Sequence, residues 1–132
     1  MTAKKDAIRA YRLGFQARLK RQQEEREQAR QRALQAVQEK ALEIIAHSPS
    51  VRRAYLFGSL TRPGAFHHAS DIDVAVEGTT AQDYFALWKA LEEALPDWVV
   101  DLRDVTSPSP FSDLVRRTGV LIYERTDSTA TG

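Results

Sequence analysis

Apolar residues recur along this chain with two rhythms, and the change of rhythm divides it. Residues 3–46 contain no proline and one glycine, Gly14, and are rich in Ala, Gln, Glu, Arg and Leu, which predicts one long helix or two joined helices. Ile8, Tyr11, Phe15 and Leu19 form one apolar stripe at helical spacing, and Leu34, Val37, Ala41, Leu42, Ile44 and Ile45 form another. Between the stripes, Lys20 to Arg32 offers only Ala29. This predicts a middle exposed on all sides, in a helix that reaches from a domain towards something else. His47-Ser48-Pro49-Ser50 ends the element, because proline cannot continue a helix and restricts the residue before it.

Beyond that point short apolar runs take over. Val51 to Phe57 reads as a strand rich in β-branched and aromatic residues, and Gly58-Ser59 turns it into a short helix or loop. A connection from Thr61 to Ser70 follows. Asp71 to Val76 alternates acid and apolar residues, so Asp71 and Asp73 share one face while Ile72, Val74 and Val76 seek the core. Tyr84, Leu87, Trp88, Leu91 and Leu95 give Gln82 to Leu95 a helical stripe that covers a sheet face. Trp98 to Val105 is the next strand, Phe111 to Thr118 a short helix closed by Gly119, and Val120 to Glu124 the last strand. The fold class is therefore α/β, a mixed sheet of about four strands with flanking helices, preceded by a long N-terminal helix. The expected division is a helical arm at 1–47, a domain at 48–126 and a disordered polar tail at 127–132.

The length of 132 residues leaves room for one small domain and one appended element. The absence of cysteine excludes disulfides, thiolate zinc sites and cysteine nucleophiles. No apolar run is long enough to span a bilayer, and a cytoplasmic setting is expected. The net charge of +1 hides an asymmetry. Residues 1–47 carry 11 Lys and Arg against 6 Asp and Glu, whereas the remainder carries 8 against 12. The basic charges are interspersed with acids and glutamines as on a solvated helix, which disfavours nucleic acid as a partner. Such an arm suits self-association into a homo-oligomer or docking on a protein partner.

The candidate chemistry lies in Gly58-Ser59, Asp71-Ile72-Asp73 and Asp101. Two carboxylates at i and i+2 on a strand, joined by a third from a neighbouring strand, form an oxygen cage suited to Mg²⁺. Two such ions can clamp the attacking and leaving oxygens of an in-line phosphoryl or nucleotidyl transfer. The Gly-Ser turn offers backbone N–H groups and a hydroxyl to phosphates, with Arg62 as a further contact. Plainer readings exist for each. Asp101 can pair with Arg103 or Arg53, Ser70 can cap or orient the acid strand, and Tyr84 and Trp88 suit the core. His67-His68 reads as a solvated loop rather than a zinc site.

Taken together, Leu56-Phe57-Gly58-Ser59, Arg62, Gly64, Ser70-Asp71-Ile72-Asp73-Val74-Ala75-Val76 and Val100-Asp101-Leu102 resemble the minimal nucleotidyltransferases of the DNA polymerase β-like superfamily, over residues 51–125. The chain is most similar to the small members that act as antitoxins of HEPN-type RNase toxins. The resemblance implies a polymerase β-like fold and transfer of AMP from ATP to a hydroxyl of the partner toxin, in several relatives a tyrosine. It implies Asp71, Asp73 and Asp101 as catalytic and as ligands of two Mg²⁺ ions, and Gly58, Ser59, Arg62 and Ser70 as nucleotide contacts. Many small members read Gly-Ser-Arg-x-Arg-Gly, whereas this chain reads Gly58-Ser59-Leu60-Thr61-Arg62-Pro63-Gly64, so the phosphate contacts rest on Arg62 alone. Two other readings stay open: a non-catalytic antitoxin or regulatory subunit that neutralises by binding, and a nucleotidyltransferase acting on a small molecule or an RNA end.

Overall fold

The computed structural model describes residues 2–126, so the tail expected at 127–132 lies outside the described residues. The predicted arm is one uninterrupted helical run: α1 (Thr2–Ala36), a π-helical segment (Val37–Ala41) and α2 (Leu42–His47). Its buried residues, Ala29, Ala33, Val37, Ala41 and Ile45, are spaced four apart. In an α-helix of 3.6 residues per turn, each step of four overshoots a full turn by about 40°, so such a stripe drifts off its face. The wider π turn at Val37–Ala41 counters that drift and returns Ala41 and Ile45 to the face carrying Ala29 and Ala33.

The expectation of a middle exposed on all sides therefore holds through Arg26 and fails at Ala29, which is buried, and at Arg30, which is half-buried. Alanine is apolar enough to be buried and small enough to let a helix lie close to its neighbours, so one alanine per turn sufficed. The first stripe behaves differently. Ile8, Tyr11, Phe15 and Leu19 are 48%, 71%, 47% and 42% exposed, so the leading half of α1 projects from the domain.

The remaining elements are β1 (Arg53–Phe57), a 3₁₀ turn (Gly58–Thr61), β2 (Ile72–Glu77), α3 (Ala81–Ala94), β3 (Val100–Asp104), α4 (Pro110–Thr118) and β4 (Val120–Glu124). The four strands form one mixed sheet in the order β3-β2-β1-β4. β1 is antiparallel to both β2 and β4, and β2 is parallel to β3 through the α3 crossover. Strand alternation sends Ala54, Leu56, Ile72, Val74, Val76, Val100 and Leu102 into the main core with the helical stripe, Leu87 and Leu91 of α3, and Leu95 just beyond that helix. The opposite face carries a smaller cluster, Tyr55, Ala75, Val105 and Val115, roofed by α4.

Both later helices begin on side-chain caps. Thr80 accepts from the Asp83 N–H at 3.2 Å, and Ser109 accepts from the Ser112 N–H at 3.0 Å with Pro110 in the first turn. Among the described residues no helix is long and apolar enough to cross a membrane.

Candidate active site

The sheet face roofed by α4 at one end is open at the other, and there the sequence-predicted acids gather. Asp73 on β2 lies in register with Asp101 on β3 and with Phe57 on β1, and Asp71 immediately precedes β2. Asp73 is half-buried while Asp71 is exposed. Burial first, then the neighbouring charges of Asp101 and Asp71, push the Asp73 carboxyl up to about 6, with Arg103 opposing. The coupling among the three acids marks them as one electrostatic cluster.

Gly58 closes the site on the β1 side. Its φ is +74°, and a Cβ built there would lie 2.2 Å from Oδ2 of Asp73. Only glycine allows both the left-handed backbone and the approach of the carboxylate to the turn. Gly58 also accepts from the Thr61 hydroxyl at 2.8 Å, and the Ser59 carbonyl accepts from the Arg62 N–H at 3.1 Å, which fixes the turn. Ser59 is half-buried and the Arg62 side chain is exposed. Ser70 stands apart from the cluster of acids in its bonding, since its hydroxyl accepts from the His67 N–H at 3.0 Å and so ties the bend that leads into Asp71.

The rivalry over Asp101 resolves towards Arg103, whose Nε and Nη2 reach the two carboxylate oxygens at 3.0 and 3.4 Å. Arg53 instead bonds Glu124 at 2.7 Å and Glu77 at 3.2 Å. The donor set is all carboxylate oxygen, and its mutual repulsion is what a hard divalent cation would relieve, so its chemistry fits Mg²⁺. With Asp101 turned to Arg103, no three acidic or histidine side chains among the described residues converge on a single ion position. His67 and His68 are exposed with their rings edge to face 6.0 Å apart, outside the acid cluster.

Several roles around the site carried no sequence signal. Tyr84 and Trp88, predicted as core, also donate side-chain hydrogen bonds to the carbonyls of Leu102 and Val100, the latter at 2.8 Å. These carbonyls flank Asp101 on the outer edge of β3, so α3 both blunts the edge strand and fixes the acid's backbone. Beside Gly58 a cleft of about 500 Å³ is lined by Phe57, Thr61, Arg62, Phe111 and Leu114. Phe111 meets Phe57 edge to face at 5.4 Å and lies 5.9 Å below the Arg103 guanidinium, which links the cleft to Asp101. Under α4, the buried Glu77 carboxylate receives Arg53, the Tyr55 hydroxyl at 3.1 Å and Arg116 at 3.4 Å, which pins the helix to the sheet.

The family model described as polymerase beta, nucleotidyltransferase matches residues 39–128. No curated protein matches the chain. Among solved structures, the chain is similar to a toxin–antitoxin crystallised with AMP-PNP, at 28% identity and TM-score 0.54, over 68% of this chain and 75% of that one. It is also similar to a mutant of the toxin–antitoxin MntA-HpeT, at 25% identity and TM-score 0.52, with the same coverage of 68% and 75%.

Proposed function

Because the chain belongs to the polymerase beta nucleotidyltransferase family, we propose that it transfers AMP from Mg²⁺-bound ATP to a hydroxyl, a tyrosine of a HEPN-type RNase toxin, and serves as that toxin's antitoxin in the cytoplasm. The observation that carries the reading is the seating of the Gly58 turn on the Asp73 carboxylate, with Asp101 in register on the next strand. A phosphate-binding turn and an acid pair in direct contact are what an in-line transfer needs. The similarity to toxin–antitoxin structures, one of them with AMP-PNP, supports both the partner and the nucleotide.

In this reading the distal phosphates lie on the N–H groups of Gly58 and Ser59, with Arg62 on their outer side. The nucleoside occupies the cleft against Phe111. Asp71 and Asp73 would hold the nucleotide-bound Mg²⁺ and, with Asp101, a second ion. When bound, Mg²⁺ supplies charge neutralisation of the triphosphate and a lowered pKa for the acceptor hydroxyl. Asp101 receives the proton of that hydroxyl as its oxygen bonds to the α-phosphorus and the bond to pyrophosphate breaks. Arg103 must release Asp101 for this. Ser70 contributes by holding the bend that delivers Asp71. Residues 48–126 carry the chemistry, and the arm at 1–47 adds reach towards the partner through its exposed stripe.

A second reading, neutralisation by binding alone, is favoured by the engagement of Asp101 with Arg103 and by the single arginine at the turn. One experiment separates the two. The chain is purified with its co-expressed toxin, incubated with Mg²⁺-ATP and weighed by intact-protein mass spectrometry, beside the pair Asp71→Asn plus Asp73→Asn. An AMP-sized gain on the toxin that the variant abolishes is expected. A stable, inactive complex with no gain in either preparation would sink the catalytic reading and leave occlusion.

A further inference from the structure

The phosphate turn is held from outside the family domain. Arg30 of α1 precedes the matched residues 39–128, yet its Nε donates to the Leu60 carbonyl at 2.8 Å, inside the 3₁₀ turn that begins at Gly58. Its Nη1 is held at 2.8 Å by Glu27 one turn earlier, so the guanidinium is fixed at both ends. Gln31 donates to the same Glu27 oxygen at 2.9 Å and, with Arg30, keeps that carboxyl below its ordinary range. One turn up the helix, Arg26 reaches the Gly64 carbonyl at 3.4 Å, beyond the other end of the turn. Ala29 and Ala33, on either side of Arg30, share one buried cluster with Leu60 and Phe66, which anchors the loop on the same helix.

The geometry points to Arg30 as a positioning residue for nucleotide binding: by holding Leu60 O it sets the Gly58–Thr61 turn where its N–H groups can meet a triphosphate. Leu60 is fully buried, so its side chain is fixed by packing. The turn's own hydrogen bonds engage the carbonyls of Gly58 and Ser59, whereas the Leu60 carbonyl is held by the charged donor of Arg30. An arginine suits the role because its planar fork bonds the turn and its own helix in one fixed geometry, which a rotatable ammonium on a flexible stem does not impose. A sequence reading assigns Arg30 to a solvated helix face. The inference rests on the proposed nucleotide site but concerns a different part of the chain.

The test compares wild type with Arg30→Ala and Arg30→Lys in the full chain. It measures binding of the non-hydrolysable triphosphate AMP-PNP and of AMP by calorimetry in Mg²⁺, and amide hydrogen exchange over residues 58–64. Arg30→Ala is expected to weaken AMP-PNP by about tenfold, leave AMP unchanged and speed exchange in the turn. Arg30→Lys, which keeps charge and stem and stays folded if alanine does not, is expected to fall between. Equal weakening of AMP and AMP-PNP, or unchanged triphosphate affinity in both variants, would overturn the positioning role. Failure of the wild type to bind either nucleotide would instead overturn the proposed site, and faster exchange in Arg30→Ala would then still support the grip on the turn.

Discussion

Replacing Asp73 by asparagine removes one charge with almost no change of shape, and the metal-free fold should gain from it. The carboxyl is raised from 3.8 to about 6 in the native state, chiefly by burial and then by Asp101 and Asp71. A carboxyl whose folded pKa exceeds its unfolded value favours folding when protonated. Its contribution is fully present below about pH 3.8, is lost as pH rises towards about 6, and leaves a constant penalty above that. Two pKa units correspond to about 3 kcal/mol. Because the group is only half-buried, screening reduces this to roughly 1–2 kcal/mol, or a rise of roughly 3–10 °C in Tm for a chain of this size. Thermal melts in EDTA at pH 4.5 and pH 7.5 check this, with Asp97→Asn as an exposed control. Asp73→Asn should melt higher than wild type at pH 7.5, by a margin that falls to about a third at pH 4.5, while Mg²⁺ should raise only the wild type. A variant that melts lower at pH 7.5, or a gap that does not shrink in acid, would refute the crowding of acids as a source of native-state cost.

Three further perturbations address the parts around that acid. Gly58→Ala places a methyl group against Asp73 in a left-handed backbone and should cost roughly 2–4 kcal/mol in urea melts; adding Asp73→Ala should recover part of the loss, and no recovery would locate the strain elsewhere. Glu77→Ala strips the buried acceptor shared by Arg53, Tyr55 and Arg116 and should cost roughly 2–3 kcal/mol, with faster amide exchange in α4. Phe111→Ala should raise the KM for ATP by roughly two- to tenfold at nearly constant kcat, and an effect confined to kcat would place the nucleoside outside the Phe57–Phe111 cleft.

What could be read from the sequence follows the range of the forces involved. The alternation of Ile72, Asp73 and Val74, and of Val100, Asp101 and Leu102, is local, and it suffices to put acids on one face and core residues on the other. Gly58 was legible as a turn, but the stronger reason for it, the Asp73 carboxylate against its Cα, joins two strands and appears only when they pair. The choice of Arg103 over Arg53 as partner of Asp101 likewise depends on register, since Arg53 is claimed across the sheet by Glu77 and Glu124. The arm shows the limit most clearly. Its alanines look like helix formers in solvent, and at i+4 spacing in a pure α-helix they would drift off any single face. A π turn realigns them, so the helix lies on the core from Ala29 to Ile45 and carries Arg30 onto the Gly58–Thr61 turn. A segment that composition marks as an appendage thus reaches the site by way of a backbone irregularity, which side-chain periodicity cannot register.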